Sequence, residues 1–233
     1  MPPALRRRVI RDPAASIEHS WMANADAWTT AVREGRIESR RVATDRAIVD
    51  AILERKPLRV LDVGCGEGWL CRALAQHGID AFGIDASAPL IEAACALGGD
   101  GHAVCDYAAL IGEPLRFGRF DAFVCNFALL DERIEPLLAA LRSALSANGR
   151  LLIQTVHPWT ACGDALYADG WRNETFAAFG AAFKAEMPWY FRTLESWCAV
   201  LARAGFAIDA IREPVHPQTG KVLSLLLIAK MRA

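Results

Sequence analysis

Apolar and polar positions change their period once along this chain, near Pro57. Before it the spacing is helical: Val42, Ile48, Val49, Ile52 and Leu53 fall near one face, and Pro57 ends the element. After it, short apolar runs alternate with helical stretches. Leu58–Val63 is a nearly continuous apolar run, the pattern of a parallel strand buried on both faces. The pattern predicts a helix over Trp69–His77, a strand over Ala81–Ile84 and a helix over Pro89–Leu97 closed by Gly98-Gly99. A third strand at Ala103–Cys105, a fourth at Phe120–Asn126 and a fifth at Leu151–Val156 follow. Between the last two, Pro136 opens a helix predicted to run to Ala147 and to stop at Asn148-Gly149.

The alternation then breaks. No clear strand is predicted over 157–191, which instead gathers nine aromatic residues, Trp159, Trp171 and Trp189 among them. Leu194–Ala204 reads as a helix, and Phe206–Ile211 and Val222–Lys230 as strands whose short connection lets them pair antiparallel. The predicted fold is α/β: a doubly wound, Rossmann-like sheet of seven mostly parallel strands with one antiparallel strand. The predicted organisation is an N-terminal helical cap over 1–56 and a main domain over 57–233, with 157–191 inserted after the fifth strand.

Composition narrows the classes. The chain has 233 residues, 53% apolar and 23% charged, with a net charge of −1. That balance gives no general attraction to nucleic acid or to an anionic membrane surface. The basic cluster Arg6-Arg7-Arg8 with Arg11 reads as a solvated arm. No signal peptide is expected, since Asp12-Pro13-Ala14-Ala15-Ser16 follows that arm. The seven cysteines form no C-x-x-C pair, so neither a disulfide framework nor a zinc site is expected; they read as buried apolar residues in a reducing cytosol.

The chemistry centres on V-L-D-V-G-C-G-E-G, residues 60–68. A glycine-rich turn between strand and helix lets backbone approach a ligand closely. The dinucleotide fingerprint requires a small residue where this chain has Trp69, and no Gly-Lys-Ser/Thr follows as in a P-loop. Asp62 at the strand tip is a poor neighbour for pyrophosphate and a good one for an ammonium or sulfonium. Asp85 ends the next strand, 19 residues after Gly66, where an acid accepts from ribose hydroxyls. Asp106 ends the third strand and Asn126 the fourth.

Together with G-I-D-A-S and F-D-A-F-V-C-N-F, these stretches resemble the class I S-adenosylmethionine-dependent methyltransferases. Within them the chain is most similar to the ubiquinone/menaquinone-biosynthesis-type group. The resemblance implies S-adenosylmethionine as cofactor, S-adenosylhomocysteine as product and no metal. It implies that Asp62, Gly64, Cys65 and Gly66 surround the methionine part, that Asp85 and Ala86 meet the ribose, and that Cys105, Asp106 and Tyr107 border the adenine. Asn126 and Phe127 would border the transferring methyl. Trp21 and Arg40 of the cap would reach the cofactor, Arg40 at its carboxylate. C-N-F-A replaces the Asn/Asp-Pro-Pro-aromatic motif of enzymes that methylate nucleobases or glutamine, which disfavours a nucleic-acid substrate.

His157, in Q-T-V-H-P-W straight after the fifth strand, is the candidate general base. It is expected near Asn126, at the carboxyl edge of the sheet. The aromatic insertion is expected to act as a lid. The predicted activity is methyl transfer to a small molecule, foremost O-methylation, in the cytoplasm, by a monomer or homodimer. The alternatives are an RNA methyltransferase, a nicotinamide-dependent oxidoreductase and a non-catalytic cofactor-binding subunit.

Overall fold

A computed structural model describes residues 12–98, 101–179 and 182–232. The N-terminal basic cluster and Gly99 lie outside the described residues. The cap consists of α1 (Pro13–Ala23), α2 (Ala25–Arg33), a π-helical turn (Arg40–Thr44) and α3 (Asp45–Leu53). The sheet-forming region follows as β1 (Arg59–Val63), α4 (Trp69–Ala75), β2 (Asp80–Asp85), α5 (Ala88–Cys95), β3 (His102–Val104), α6 (Tyr107–Gly112), β4 (Phe120–Asn126), α7 (Glu135–Ala144) and β5 (Leu145–Val156). After β5 come α8 (Pro158–Cys162), β6 (Gly170–Glu174), β7 (Met187–Phe191), α9 (Leu194–Arg203), β8 (Phe206–Arg212) and β9 (Ser224–Met231).

Seven strands form one sheet in the order β3-β2-β1-β4-β5-β9-β8. All pairings are parallel except those of β9, which runs antiparallel to β5 and β8. The strand order reverses between β1 and β4, and ligands of open α/β sheets bind outside the carboxyl ends at such a point.

Each strand alternates its side chains between two cores. Leu61, Val63, Phe123 and Ile153 face the layer that holds α6, α7 and α9. Val60, Val124, Leu152 and Leu226 face α3 and α4. The period of two therefore puts Asp62, Asn126, Gln154 and Ser224 on the α3 side, the side of the cap.

Three elements depart from the sequence expectation. The helix expected to reach Ala147 stops at Ala144, and β5 already begins at Leu145. A Cβ at Gly149 would meet the Leu145 side chain at 2.6 Å, so this glycine lets the buried Leu145 fold back over the strand. The pairing of β4 with β5 shifts register there, between Phe120 and Ala122. The 157–191 segment, expected without strands, contains the antiparallel ribbon β6–β7. Twelve residues separate its strands, so no short turn signature marks the hairpin. The short helix α6, absent from the pattern, is capped by Asp106. Five of the cysteines are buried as expected, whereas Cys95 is exposed.

The insertion packs on the cap. Asn24, which is buried, donates to the Ala185 carbonyl at 2.7 Å and accepts from the Lys184 amide at 2.7 Å. Trp28 is ringed by Trp21, Phe176, Phe179 and Phe183 at centroid distances of 5.1–5.7 Å. The aromatics at this end of the insertion thus complete a core shared with α1 and α2.

Candidate active site

The glycine turn leaves β1 with its φ angles in the left-handed region: 80° at Gly64, 56° at Gly66 and 78° at Gly68. A Cβ at Gly64 would lie 2.5 Å from the Ala128 Cβ, whereas one at Gly66 would meet nothing within 4 Å. Gly64 is thus demanded by packing, whereas the Cβ side of Gly66 opens onto free space and only its left-handed φ favours glycine.

Asp62 is 2% exposed. Its Oδ1 is buried without a hydrogen-bond partner. Burial, with the nearby Asp85 charge, pushes its pKa up to about 7, against an opposing pull from Arg40. A buried carboxylate oxygen without a partner is costly, and a cation completes it. Asp85 accepts from the Gly66 amide at 2.9 Å and the Ser87 amide at 2.8 Å, and burial raises its pKa as well. Each of its oxygens keeps further lone-pair capacity for a hydroxyl. Cys65 is buried, and its thiol is pushed well up by burial and by the charges of Asp62 and Asp85, so it stays protonated at neutral pH. Ala86 is half-buried behind Asp85.

Arg40 opens the π-helical turn. Its Nε donates to Asp45 at 2.9 Å, its guanidinium lies over Trp69 at 4.6 Å from the ring centroid, and its Nη2 is buried without a partner. Trp69, the residue that breaks the dinucleotide fingerprint, is the platform for this cation. Glu67, 3% exposed, is gripped by Arg33 of α2 at 3.0 Å and Arg72 of α4 at 2.6 Å. The glycine turn is thereby tied to the cap, and the sequence reading missed this residue.

Phe127 follows β4 at a φ of 55°, unusual for a non-glycine residue, with its amide on the Gln154 carbonyl at 2.7 Å. Several expected site residues are engaged otherwise. Tyr107 donates its hydroxyl to the Ala128 carbonyl at 3.0 Å, which carries the phenol under the Gly64 turn. Asp106 is exposed and caps α6 through the Ala109 amide at 2.7 Å, and Cys105 is buried. Trp21 packs on Trp28 at 5.3 Å. His157 makes no hydrogen bond to Asn126. Its Nε2 lies 2.8 Å from Glu213, just past β8, and β8 is beyond β5 and β9 as seen from β4. A cavity of about 670 Å³ lies between α2, residues 36–39 and the insertion, lined by Asp26, Thr30, Glu38, Phe179 and Phe183 among others, and by no residue of the glycine turn.

A family described as a methyltransferase domain matches residues 36–211, well over half of the chain. The chain belongs to this methyltransferase family. It carries this methyltransferase domain on a Rossmann-like, mostly parallel seven-stranded sheet. Among its relatives is a ubiquinone biosynthesis O-methyltransferase of Xylella fastidiosa, 35% identical over 117 residues, 47% of each chain. The chain spans about half or less of the length of the curated relatives it matches. An S-adenosylmethionine-dependent methyltransferase from Mesorhizobium loti superposes at a TM-score of 0.59, with 23% identity over 78% of this chain and 95% of that one. The glycopeptide N-methyltransferase MtfA superposes at 0.63, with 18% identity over 81% and 91%. The orphaned Asp62 oxygen, the free Arg40 Nη2 and the open face of Gly66 fit the zwitterionic cofactor of this family. No helix among the described residues is long and apolar enough to cross a membrane.

Proposed function

We propose that the chain transfers a methyl group from S-adenosylmethionine to an oxygen of a small-molecule acceptor. The observation that carries this proposal is the pairing, at one glycine turn, of a buried unpartnered carboxylate with a buried unpartnered guanidinium nitrogen. A carboxylate and a guanidinium within electrostatic reach of each other but not bonded together can recognise an amino-acid end, cation to Asp62 and carboxylate to Arg40. Asp85 would hold the ribose hydroxyls. When bound, S-adenosylmethionine supplies a methyl carbon already activated by the sulfonium charge.

The chain's own tasks are then alignment and exclusion of water. Asn126 and Phe127, at the end of β4, would border the acceptor. The cap and insertion, sharing one aromatic core, would cover it. The preference for oxygen is supported by the relatives named as O-methyltransferases.

The first test is thermal unfolding with S-adenosylhomocysteine and with NAD. A ligand at 100 times its Kd adds about 2.7 kcal/mol, a rise on the order of 5 °C for a chain of this size. A rise with S-adenosylhomocysteine alone is expected, followed by turnover of phenols or carboxylic acids ahead of amines. A rise with NAD alone overturns the proposal.

We assign His157 a structural part, because Glu213 holds its Nε2 and its Nδ1 is buried rather than open to an acceptor. His157→Gln is expected to lower Tm by a few degrees and to leave kcat within about threefold across pH 6–9. A large loss of kcat at unchanged Tm would return the base role to this histidine.

A further inference from the structure

Gln154 is fully buried in the middle of the sheet, in the otherwise apolar run Leu151-Leu152-Ile153. Its Nε2 donates to the Thr44 carbonyl at 3.0 Å and to Asn126 Oδ1 at 2.9 Å, and its Oε1 accepts from the Ser224 hydroxyl at 3.4 Å. One side chain thus joins the end of the cap's π-helical turn, the end of β4 and the start of β9.

The orientation of this amide is forced by chemistry. The Thr44 carbonyl can only accept, so the atom of Gln154 facing it is the nitrogen. Both protons of that nitrogen are used, the second on Asn126. The atom Asn126 turns inward must therefore be its oxygen. Its Nδ2 makes no hydrogen bond within the described residues and is left for the open side of the sheet edge. Resting on the functional reading above, we propose that Gln154 is a positioning residue that fixes Asn126 as a pure donor, so that the site recognises a lone-pair oxygen of the bound molecule at this point.

The oxygen belongs to the cofactor's carboxylate or to the methyl acceptor. Gln154→Glu reverses the polarity. A glutamate has at most one proton where the amide has two; that proton goes to the Thr44 carbonyl, and the remaining lone pairs draw the Asn126 Nδ2 inward, so that Asn126 presents its oxygen to the ligand. The expected result is a loss of about tenfold or more in one ligand parameter. A higher Kd for S-adenosylhomocysteine assigns the oxygen to the cofactor, and a higher acceptor KM at unchanged Kd assigns it to the acceptor.

A merely structural role is separated by a cycle. In an Asn126→Ala background, Gln154→Glu is expected to leave both parameters unchanged; an undiminished effect there overturns the proposal. If the buried acid prevents folding, Gln154→Met removes the same hydrogen bonds without charge; it frees Asn126 to turn instead of reversing it, so the same parameter is expected to worsen by a smaller factor, about threefold, and to stay unchanged in the Asn126→Ala background. A readout free of ligand is hydrogen exchange of the Asn126 side-chain amide in protein selectively labelled with ¹⁵N. Rapid exchange in the unaltered chain and slowed exchange in Gln154→Glu are expected. Slow exchange in the unaltered chain overturns the proposal. Rapid exchange without binding of S-adenosylhomocysteine would leave the polarity standing and remove the functional reading.

Discussion

Asp62→Asn is expected to weaken S-adenosylmethionine and S-adenosylhomocysteine binding roughly 100-fold while leaving the unliganded protein as stable as before at pH 8, or more so. The two effects share one cause. In the folded chain the carboxyl is buried and its pKa rises from 3.8 to about 7. A carboxyl whose folded-state pKa is raised carries no penalty at low pH, where it is protonated in both states. The penalty grows as pH rises from about 4 and is complete above about 7, where it amounts to about 4 kcal/mol. Asparagine has no charge to bury and escapes that penalty. It also lacks the charge that a buried cation requires, and breaking a buried ionic contact costs several kcal/mol. In the unaltered protein the same titration makes cofactor affinity fall about tenfold for each pH unit below 7, because the incoming cation must first expel a proton. Calorimetric titration between pH 5.5 and 8.5 reads this slope directly. A flat profile in the unaltered protein, or a variant that keeps the slope, would remove Asp62 from the cofactor contact.

Gly64→Ala and Gly66→Ala should separate folding from binding within one turn. At Gly64 the new methyl would sit 2.5 Å from the Ala128 Cβ, on a residue at a φ of 80°. Neither atom belongs to the far end of a flexible side chain, so the backbone of β1 or of the segment after β4 must move. Overpacking together with left-handed strain is expected to cost about 3 kcal/mol or more, and cofactor binding fails with it. At Gly66 the φ of 56° is compatible with the left-handed region and the space is open. There the cost to the fold is about 1 kcal/mol. Denaturant unfolding should place Gly66→Ala close to the unaltered chain, while its methyl, standing in the open space beside the turn, is expected to cut affinity for S-adenosylhomocysteine by tenfold or more. Equal stability losses at the two positions would contradict the assignment of one glycine to packing and the other to the ligand.

The sheet was legible because its strands are buried on both faces, and a continuous apolar run with a glycine or proline at its end leaves few other readings. The Asp62 and Asp85 positions were legible for a related reason: acids at the ends of such runs stand out from their neighbours. The boundary near Ala144 was not legible. Asn148-Gly149 is an ordinary helix stop, and only the packing of Leu145 onto Gly149 moves the strand forward. His157 carries a strong local signal, a histidine and a proline at a strand end, yet its Nε2 is held by Glu213, 56 residues away. Nothing local records that choice. Glu67 and Gln154 are the opposite case. Each is a polar residue where burial is expected, Glu67 inside the glycine turn and Gln154 within an apolar strand, and that mismatch was the available signal.

The aromatic core shared by α1, α2 and the insertion has a consequence for engineering and for divergence. Trp28, packed on Trp21, lies some 150 positions before the phenylalanines it packs against, so this core is a single unit encoded in two distant pieces of the chain. A graft that carries only the insertion from one relative to another would set foreign rings against Trp28 and leave Asn24 facing the wrong backbone. Exchange of acceptor range between such proteins should succeed only when both pieces travel together, and drift in one should be answered by drift in the other.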